Sequence, residues 1–342
     1  GFKPGYKMWL TRGLYGLRNA SYLWSEHFSK VVKGMGFSQC PEAPCVFYIE
    51  EHKAIVCILA VFVDDVVILS SKKQYRKVVD GFPPNFKFKE LGTPEYLLGM
   101  KLSWKFGDGP DLPPTEMFIS MKEYIQKVIR RFGFDDATPK HTPLPTESIS
   151  IRDLAQNDEE RATAKSGLFL ENVGCIMFIQ IVGRPDVSAA ASMVAQLSAD
   201  PGPRAISLVN HILRYLKGTQ NLGLHYVKST NKTDPLGLVF AADSDFAADR
   251  IRRRSRSGGV IRMLGGAVVW WSRLQHCMTL STCEAELEAL VSMVKEVLWL
   301  RPFLSRLKII DPSVPTAIAQ DNTAALSLAT TFQLNARNRY YA

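Results

Sequence analysis

Zinc-type cysteine spacing is missing from this sequence: its six cysteines, at 40, 45, 57, 175, 277 and 283, form no Cys-x-x-Cys pair and no paired Cys–His pattern. Structural zinc modules are therefore not expected, and the thiols read as reduced side chains of an intracellular protein. Long hydrophobic runs are missing too. No apolar stretch reaches the roughly 18 residues that span a bilayer, because Asp64 and Asp65 break the longest candidate; no membrane partner is expected. No signal peptide opens the chain, and it begins Gly1-Phe2 without methionine, so it reads as a piece of a longer polyprotein. Acid is scarce at the start, where Asp64 is the first aspartate and only Glu26, Glu42, Glu50 and Glu51 precede it. What is present is a chain of 342 residues with 46% hydrophobic content, enough for two or three domains with real cores. Its net charge of +9, from 42 basic and 33 acidic residues, favours a polyanionic partner, although the same excess serves ordinary solubility.

The chain is organised around Ala54 to Ser70, where Asp64 and Asp65 interrupt an almost unbroken apolar run. Ten apolar residues from Ala54 to Val63 and four from Val66 to Leu69 predict strand, tight turn, strand, with the acids at the hairpin tip. Burying two adjacent carboxylates is expensive, so they need water, a turn or a cation. Two readings stand: solvated turn residues, since Asp accepts turn geometry, or ligands for a divalent ion that relieves their repulsion.

Phe62-Val63-Asp64-Asp65 resembles the Tyr/Phe-x-Asp-Asp signature of reverse transcriptases. Around it, Leu14-Tyr15-Gly16-Leu17-Arg18-Asn19-Ala20 with Trp24, Glu90-Leu91-Gly92 and Tyr96-Leu97-Leu98-Gly99 are similar to copia-type retrotransposon polymerases. Tyr124-Ile125-Gln126, Thr142-Pro143-Leu144-Pro145, Gly183-Arg184-Pro185-Asp186 and Leu213-Arg214-Tyr215-Leu216-Lys217-Gly218-Thr219 continue the likeness in order over essentially the whole chain. The resemblance implies an α+β multidomain chain: a partial palm with a ferredoxin-like split βαβ core, a helical thumb and connection, and a ribonuclease H-like α/β domain. It implies Asp64 and Asp65 as polymerase metal ligands and Asn19 beside the incoming nucleotide, where the family usually has Gln; Ser21 stands where Pro is usual. The family's other palm aspartate lies upstream of the Gly-Phe at which this sequence starts, so the polymerase site is expected to be incomplete here.

In chain order, Leu23, Phe28, Val31 and Val32 predict an apolar helix face before Gly36; Val46 to Ile49 predicts a strand, and Lys72 to Phe82 a short helix stopped by Pro83-Pro84. With Tyr96 to Trp104 these are expected to form one sheet domain, the partial fingers and palm of residues 1–106. Gly107 to Pro114 is too rich in Gly and Pro for an element interior. Met121 to Phe132 carries Ile125, Val128 and Ile129 at helical spacing. Its Lys122, Lys127, Arg130 and Arg131 face solvent or, on the family likeness, phosphates. Residues 107–146 are thus the linker and thumb-like helix. Leu168 to Tyr226, within a connection of 147–234, is expected to be mainly helical.

From Gly237 the pattern changes. Leu238 to Ala242, Gly258 to Met263 and Ala267 to Trp271 predict strands, the last two joined by a Gly265-Gly266 turn. Ser281 to Leu304 predicts a helix capped by Ser281 or Thr282, with Leu287, Leu290, Val291, Val294 and Leu298 as its apolar stripe. A strand from Thr316 to Gln320 and a helix from Asn322 to Ala329 follow. Asp243 and Asp321 then stand at strand ends with Glu286 on a helix between them, a geometry open to convergence. Taken singly each is ordinary: Glu286 sits among Glu284 and Glu288, and Asp321-Asn322 also suits a helix cap. Arg250, Arg252, Arg253, Arg254 and Arg256 put five arginines in seven residues, a solvated loop or a phosphate-binding one.

Together, Asp243-Ser244-Asp245-Phe246, Arg253 to Gly258, Trp271-Ser272, Leu280 to Glu286, Glu296 to Leu300 and Asp321-Asn322 resemble the ribonuclease H domain that follows copia-type reverse transcriptases. That likeness implies Asp243, Glu286 and Asp321 as ligands of two Mg2+ ions, with Mn2+ as a substitute, in a domain over 235–342 acting on RNA–DNA hybrid. Phe246 and Ala248 replace the family's Trp and Gly, and Ala336-Arg337-Asn338-Arg339-Tyr340 leads toward a terminal His-x-Asp that the sequence does not reach. The implied partners are an RNA template, a DNA primer, deoxynucleotides and other segments of a Pol polyprotein, in the cytoplasm within a virus-like particle and in the nucleus. The expectation is RNA-directed DNA synthesis with removal of the RNA strand; the rival is an inactive relic that at most binds nucleic acid.

Overall fold

The computed structural model describes residues 16–84, 86, 88–108, 112–146, 150, 153–231 and 233–331. Leu14-Tyr15, the Gly109 to Asp111 part of the Gly/Pro loop and the Ala336 to Ala342 stretch lie outside the described residues. The chain divides into two units, Gly1–Pro94 with Leu298–Pro315, and Glu95–Val297 with Thr316–Ala342.

In the first unit, β1 (Ser38–Gln39), β2 (Val46–Glu51), β3 (Ala54–Phe62) and β4 (Asp65–Ser70) form an antiparallel meander in sequence order. Although the Ala54–Val63 run is apolar throughout, β3 fully buries only the alternate residues Cys57 and Leu59, as a one-sided strand does. Phe28 and Val32 of α1 (Ala20–Gly34) and Val78 of α2 (Lys72–Gly81) share their core. Leu23, expected on the apolar face of α1, is exposed instead. Helix α2 starts where Ser71 Oγ accepts from Gln74 N at 3.3 Å, and it ends before Pro83.

Side chains of the Leu298–Pro315 segment tie it to the rest of this unit, Lys308 to Glu50 at 3.8 Å among them. Trp299 donates its indole N–H to Glu42 O at 2.8 Å, and Arg306 forks onto both Glu42 carboxylate oxygens at 2.7 Å. The Arg306 fork holds the Glu42 pKa down at about 2. A carboxyl depressed in the folded state contributes stability above its ordinary value of 4.5, and that stability is lost as pH falls toward about 2. Urea midpoints of the wild type and Glu42→Gln are therefore expected to differ at neutral pH and to converge through this acid window.

In the second unit, β5 (Tyr96–Leu97), β6 (Met100–Phe106), β7 (Pro114–Ser120) and β8 (Gly223–Val227) form one antiparallel sheet. Two expectations are corrected here. Tyr96 to Trp104 does not extend the Asp64-Asp65 sheet but supplies β5 and β6, which pair with each other and with β7. Gly223–Val227, inside the stretch read as mainly helical, is a strand on the other side of β7, with Met117 opposite Tyr226. Such long-range partners leave no trace in local periodicity.

Helices α3 (Lys122–Arg131), α4 (Asp158–Ser166), α5 (Phe169–Val182), α6 (Ser188–Ala195) and α7 (Pro203–Gly218) follow; Ile125, Ile176, Ile179, Val194, Ile212 and Leu216 lie in one core. Ile125, Val128 and Ile129 are the buried face of α3, as their spacing predicts. Arg184, only 1% exposed, turns inward after α5. Its Nε and Nη2 fork onto Asp186 at 2.8 and 2.7 Å, Nη1 donates to Thr219 O at 3.0 Å, and Tyr215 Oη donates to Asp186 at 2.8 Å. The Gly-Arg-Pro-Asp and Leu213–Thr219 stretches are thus two halves of one part-buried polar network centred on Arg184.

The other sheet of this unit has the order β11-β10-β9-β12, built from β9 (Val239–Asp245), β10 (Arg256–Met263), β11 (Gly266–Leu274) and β12 (Ile318–Ala319). The β10–β11 turn is Leu264-Gly265, one residue earlier than expected, with φ of 53° and 86° as a two-residue primed turn requires. Gly266 instead opens β11 beneath Tyr226, where a Cβ would lie 2.5 Å from the ring. Helix α8 (Thr282–Arg306) forms as predicted but buries a different face: Ala285, Ala289, Met293 and Val297 are inside, while Val291, Val294 and Leu298 are exposed. Two apolar stripes run along α8, and the one with the smaller side chains is packed. Helix α9 (Thr323–Thr331) follows β12. The architecture is mixed α/β with antiparallel sheets; the β9–β12 pair is parallel.

Candidate functional site

Asp243, Glu286 and Asp321 converge: each offers a carboxylate oxygen, and those atoms lie within 4.8 Å of one another. The register explains why. Strand β12 runs parallel to β9 with Ile318 beside Phe240 and Ala319 beside Ala241, so the chain brings Asp321 level with Asp243 at the same end of the sheet. Glu286 comes from the second turn of α8. A capping box fixes the start of that helix: Ser281 Oγ accepts from Glu284 N at 3.1 Å, and Glu284 Oε2 accepts from Leu280 N at 2.6 Å. Gln275, 2% exposed, holds the adjacent backbone by donating to Ala285 O at 2.9 Å and to Ser257 Oγ at 2.8 Å. Gln320 donates to Glu286 Oε2 at 3.1 Å and accepts from Asn322 N at 3.0 Å. Sequence reasoning missed both glutamines; the position of Gln320 beside Asp321 was the available signal. Asp243 and Asp321 are exposed and Glu286 is buried. This is a set of hard oxygen donors, the chemistry that suits Mg2+ or Mn2+.

The loop between β9 and β10 holds the arginine run. Buried Asp249 shapes it by accepting from Ile251 N at 3.1 Å and Arg252 N at 3.2 Å. Arg250, Arg252 and Arg253 are exposed, and Arg254 is half-buried. Arg256 is set apart: it opens β10, is 6% exposed, and donates to Ser192 Oγ at 2.7 Å.

In the first unit the Asp-Asp hairpin forms as predicted. Phe62 pairs with Asp65, which leaves Val63 and Asp64 as the turn and makes Asp65 the first residue of β4. Val63 sits at φ 53°, a strained left-handed position for a β-branched residue, and its carbonyl accepts from Trp24 Nε1 at 3.0 Å. Asp64 and Asp65 are both exposed. Among the described residues, no further acid, histidine or cysteine closes on them to make a three-ligand group. Asn19 stands exposed just before α1 and makes no side-chain cap bond to it.

The family model described as reverse transcriptase (RNA-dependent DNA polymerase) matches residues 3–146. The Retrovirus-related Pol polyprotein from transposon TNT 1-94 of Nicotiana tabacum is 30% identical over 333 residues, covering 97% of this chain and 24% of that protein. The corresponding polyprotein from transposon RE1 of Arabidopsis thaliana is 26% identical over 342 residues, covering 99% and 22%. An uncharacterised mitochondrial protein of Arabidopsis thaliana is 28% identical over 257 residues, covering 75% and 97%. The chain thus spans about a quarter of the length of the two Pol polyproteins. No solved structure matches it. The likeness to the Pol polyproteins runs through the Asp-Asp hairpin, the Arg184 network and the converging carboxylates alike, so the chain is similar to the copia-type retrotransposon Pol polyproteins over nearly its whole length and carries a reverse-transcriptase-like domain.

Proposed function

We propose that the second unit hydrolyses the RNA strand of RNA–DNA hybrids, as the ribonuclease H part of a Pol polyprotein. The observation that carries this reading is the approach of Asp243, Glu286 and Asp321 to within 4.8 Å. Mg2+ or Mn2+ held by these three carboxylates would offset the negative charge that builds on the attacking and leaving oxygens of a phosphodiester. The chain's own residues set the geometry. Gln320 orients Glu286, Gln275 and the capping box fix the helix turn that carries it, and the open sides of Asp243 and Asp321 leave room for the scissile phosphate. Arg250, Arg252 and Arg253, exposed on the loop after β9, would engage backbone phosphates, which position a hybrid without reading its bases. Shape and the 2′-hydroxyl would then distinguish the RNA strand.

For the first unit the reading is RNA-directed DNA synthesis on an RNA template with a DNA primer and deoxynucleotides. Asp64 and Asp65 would be Mg2+ ligands and Asn19 would contact the nucleotide. On this reading the ferredoxin-like palm and partial fingers lie within 1–106, the linker, thumb-like helix and connection within 107–234, and the ribonuclease H-like part within 235–342. Other Pol segments would be partners, in a cytoplasmic particle and then the nucleus. A second reading, nucleic-acid binding without chemistry, is favoured for the first unit by the exposure of Asp64 and Asp65 without a third converging ligand among the described residues.

One gel assay tests both readings, using Mg2+, nucleotides and a labelled hybrid with a recessed primer. Cleavage by the wild type that disappears in Asp243→Asn supports the hydrolytic reading, and cleavage that survives in Asp243→Asn sinks it. Extension that is lost in Asp64→Asn establishes polymerisation. A wild type that does not extend the primer leaves the binding reading for that unit.

A further inference from the structure

A cavity of about 370 Å3 opens beside the arginine loop, lined by Arg250, Arg253, Arg256, Asp245, Asp249 and Gln196 among others. Two of its polar groups lack what their burial demands. Arg256 is 6% exposed, yet its hydrogen bond among the described residues is the one to Ser192 Oγ. Gln196 Nε2 is buried with no hydrogen-bond partner. The acids nearby relieve the arginine only in part, and neither hydrogen-bonds it among the described residues: each Asp249 oxygen accepts from a backbone N–H group, of Ile251 and of Arg252. Asp245 lies across the ladder from Arg256, and no ion pair joins them among the described residues. Burial holds the Arg256 pKa below the ordinary arginine value, with Asp249 and Asp245 offsetting only part of the effect. An arginine in a protein nevertheless keeps its proton. The wall therefore carries a desolvated, under-compensated positive charge, with two more guanidinium groups on the same cavity.

We propose that this cavity is a phosphate-binding pocket, with Arg256 as its floor, Arg250 and Arg253 at its mouth, and the Gln196 amide as a neutral donor. A guanidinium fork matches phosphate oxygens, and the volume leaves space for a sugar beside the phosphate. The source of the phosphate is a nucleic-acid strand. Asp243 and Asp245 are two residues apart on β9, on one face and roughly 6–7 Å apart along the strand. The pocket therefore lies about one sugar–phosphate repeat from the carboxylate cluster. Only this choice of source rests on the proposed function; the pocket itself rests on Arg256 and Gln196.

The test uses the full chain in EDTA, so that no cleavage is involved, with inorganic phosphate as the probe. Phosphate is expected to raise the unfolding temperature of the wild type and of Asp243→Asn, to leave Arg256→Gln unmoved, and to bind Gln196→Leu about tenfold more weakly, the loss expected for one hydrogen bond. An equal response in the wild type and both pocket variants, or no response in any, overturns the pocket; Gln196→Leu decides the matter if Arg256→Gln does not fold. Fluorescence anisotropy with an uncleaved RNA–DNA hybrid then identifies the source. Phosphate that displaces the hybrid from the wild type, with a salt slope lower by about one in Arg256→Gln, supports a backbone phosphate. Phosphate that binds while the hybrid is unaffected overturns the nucleic-acid source and leaves a small phosphate ligand. Because Asp243→Asn removes cleavage and keeps the pocket, failure of the hydrolytic reading and failure of this one give different results.

Discussion

Replacing Arg184 with alanine is expected to lower the unfolding free energy of the second unit by about 1.5–3 kcal/mol, the scale for losing charge-assisted hydrogen bonds of a buried group. The guanidinium divides its donors among Asp186, Thr219 O and Thr219 Oγ1. Burial by itself would raise the Asp186 pKa; the Arg184 hydrogen bonds and charge more than offset it and hold the carboxyl below its ordinary value. Without Arg184, the partly exposed Asp186 carboxylate is left with the Tyr215 hydroxyl at 2.8 Å, and the Thr219 carbonyl loses a donor. Arg184→Lys keeps the charge but not the fork and should recover only part of the loss. Denaturant titration of the three proteins measures the difference. A loss below about 1 kcal/mol, the scale of a surface pair, would show that the network is not a structural tie.

Asp243→Asn is expected to move stability and activity in opposite directions. Its carboxylate shares a small volume with two others, their oxygens within 4.8 Å. Like charges at that separation repel by about 1 kcal/mol at a water-like dielectric and by about 3 kcal/mol at an effective value of 20. Removing one charge should therefore raise the unfolding temperature in EDTA by a few degrees. The same change should abolish stabilisation by Mg2+, about 2.7 kcal/mol at a hundredfold excess over Kd, and cut hybrid cleavage by at least about a hundredfold. Thermal unfolding with and without Mg2+, run beside the gel assay, reads both effects. A Mg2+ shift that persists in the variant would place the cation elsewhere on the protein.

How far the sequence reveals this molecule depends on whether each feature is local. The β3–β4 hairpin was legible because its strands adjoin in sequence and two acids interrupt the apolar run. Helix α3 was legible because one stripe alone is apolar, and the α8 start because Ser281 and Glu284 form their cap within a single turn. The packed face of α8 was not, since bulk favoured Leu287, Val291 and Val294 while the buried contacts belong to Ala285, Ala289 and Met293. Nor was the β7–β8 ladder, whose partners are brought together only after five intervening helices have packed. At the carboxylate cluster the three acids were found by their family setting. Gln275 and Gln320 were not, because an amide that orients a neighbour carries no pattern of its own. Arg256 was grouped with exposed arginines adjacent in sequence, whereas it opens β10 and is buried with Ser255 and Ser257, donating to Ser192 of α6.

Strand β12 makes two ladder positions with β9, at the edge of its sheet. An edge that short belongs to the low end of a protein's local stabilities. Asp321 therefore reaches Asp243 only in molecules whose edge is seated, whereas the arginine loop is held by hydrogen bonds within itself and by the longer β9–β10 ladder. On the proposed hydrolytic reading, copies in which the edge has opened would still present that loop to a hybrid, and they would hold it without cutting.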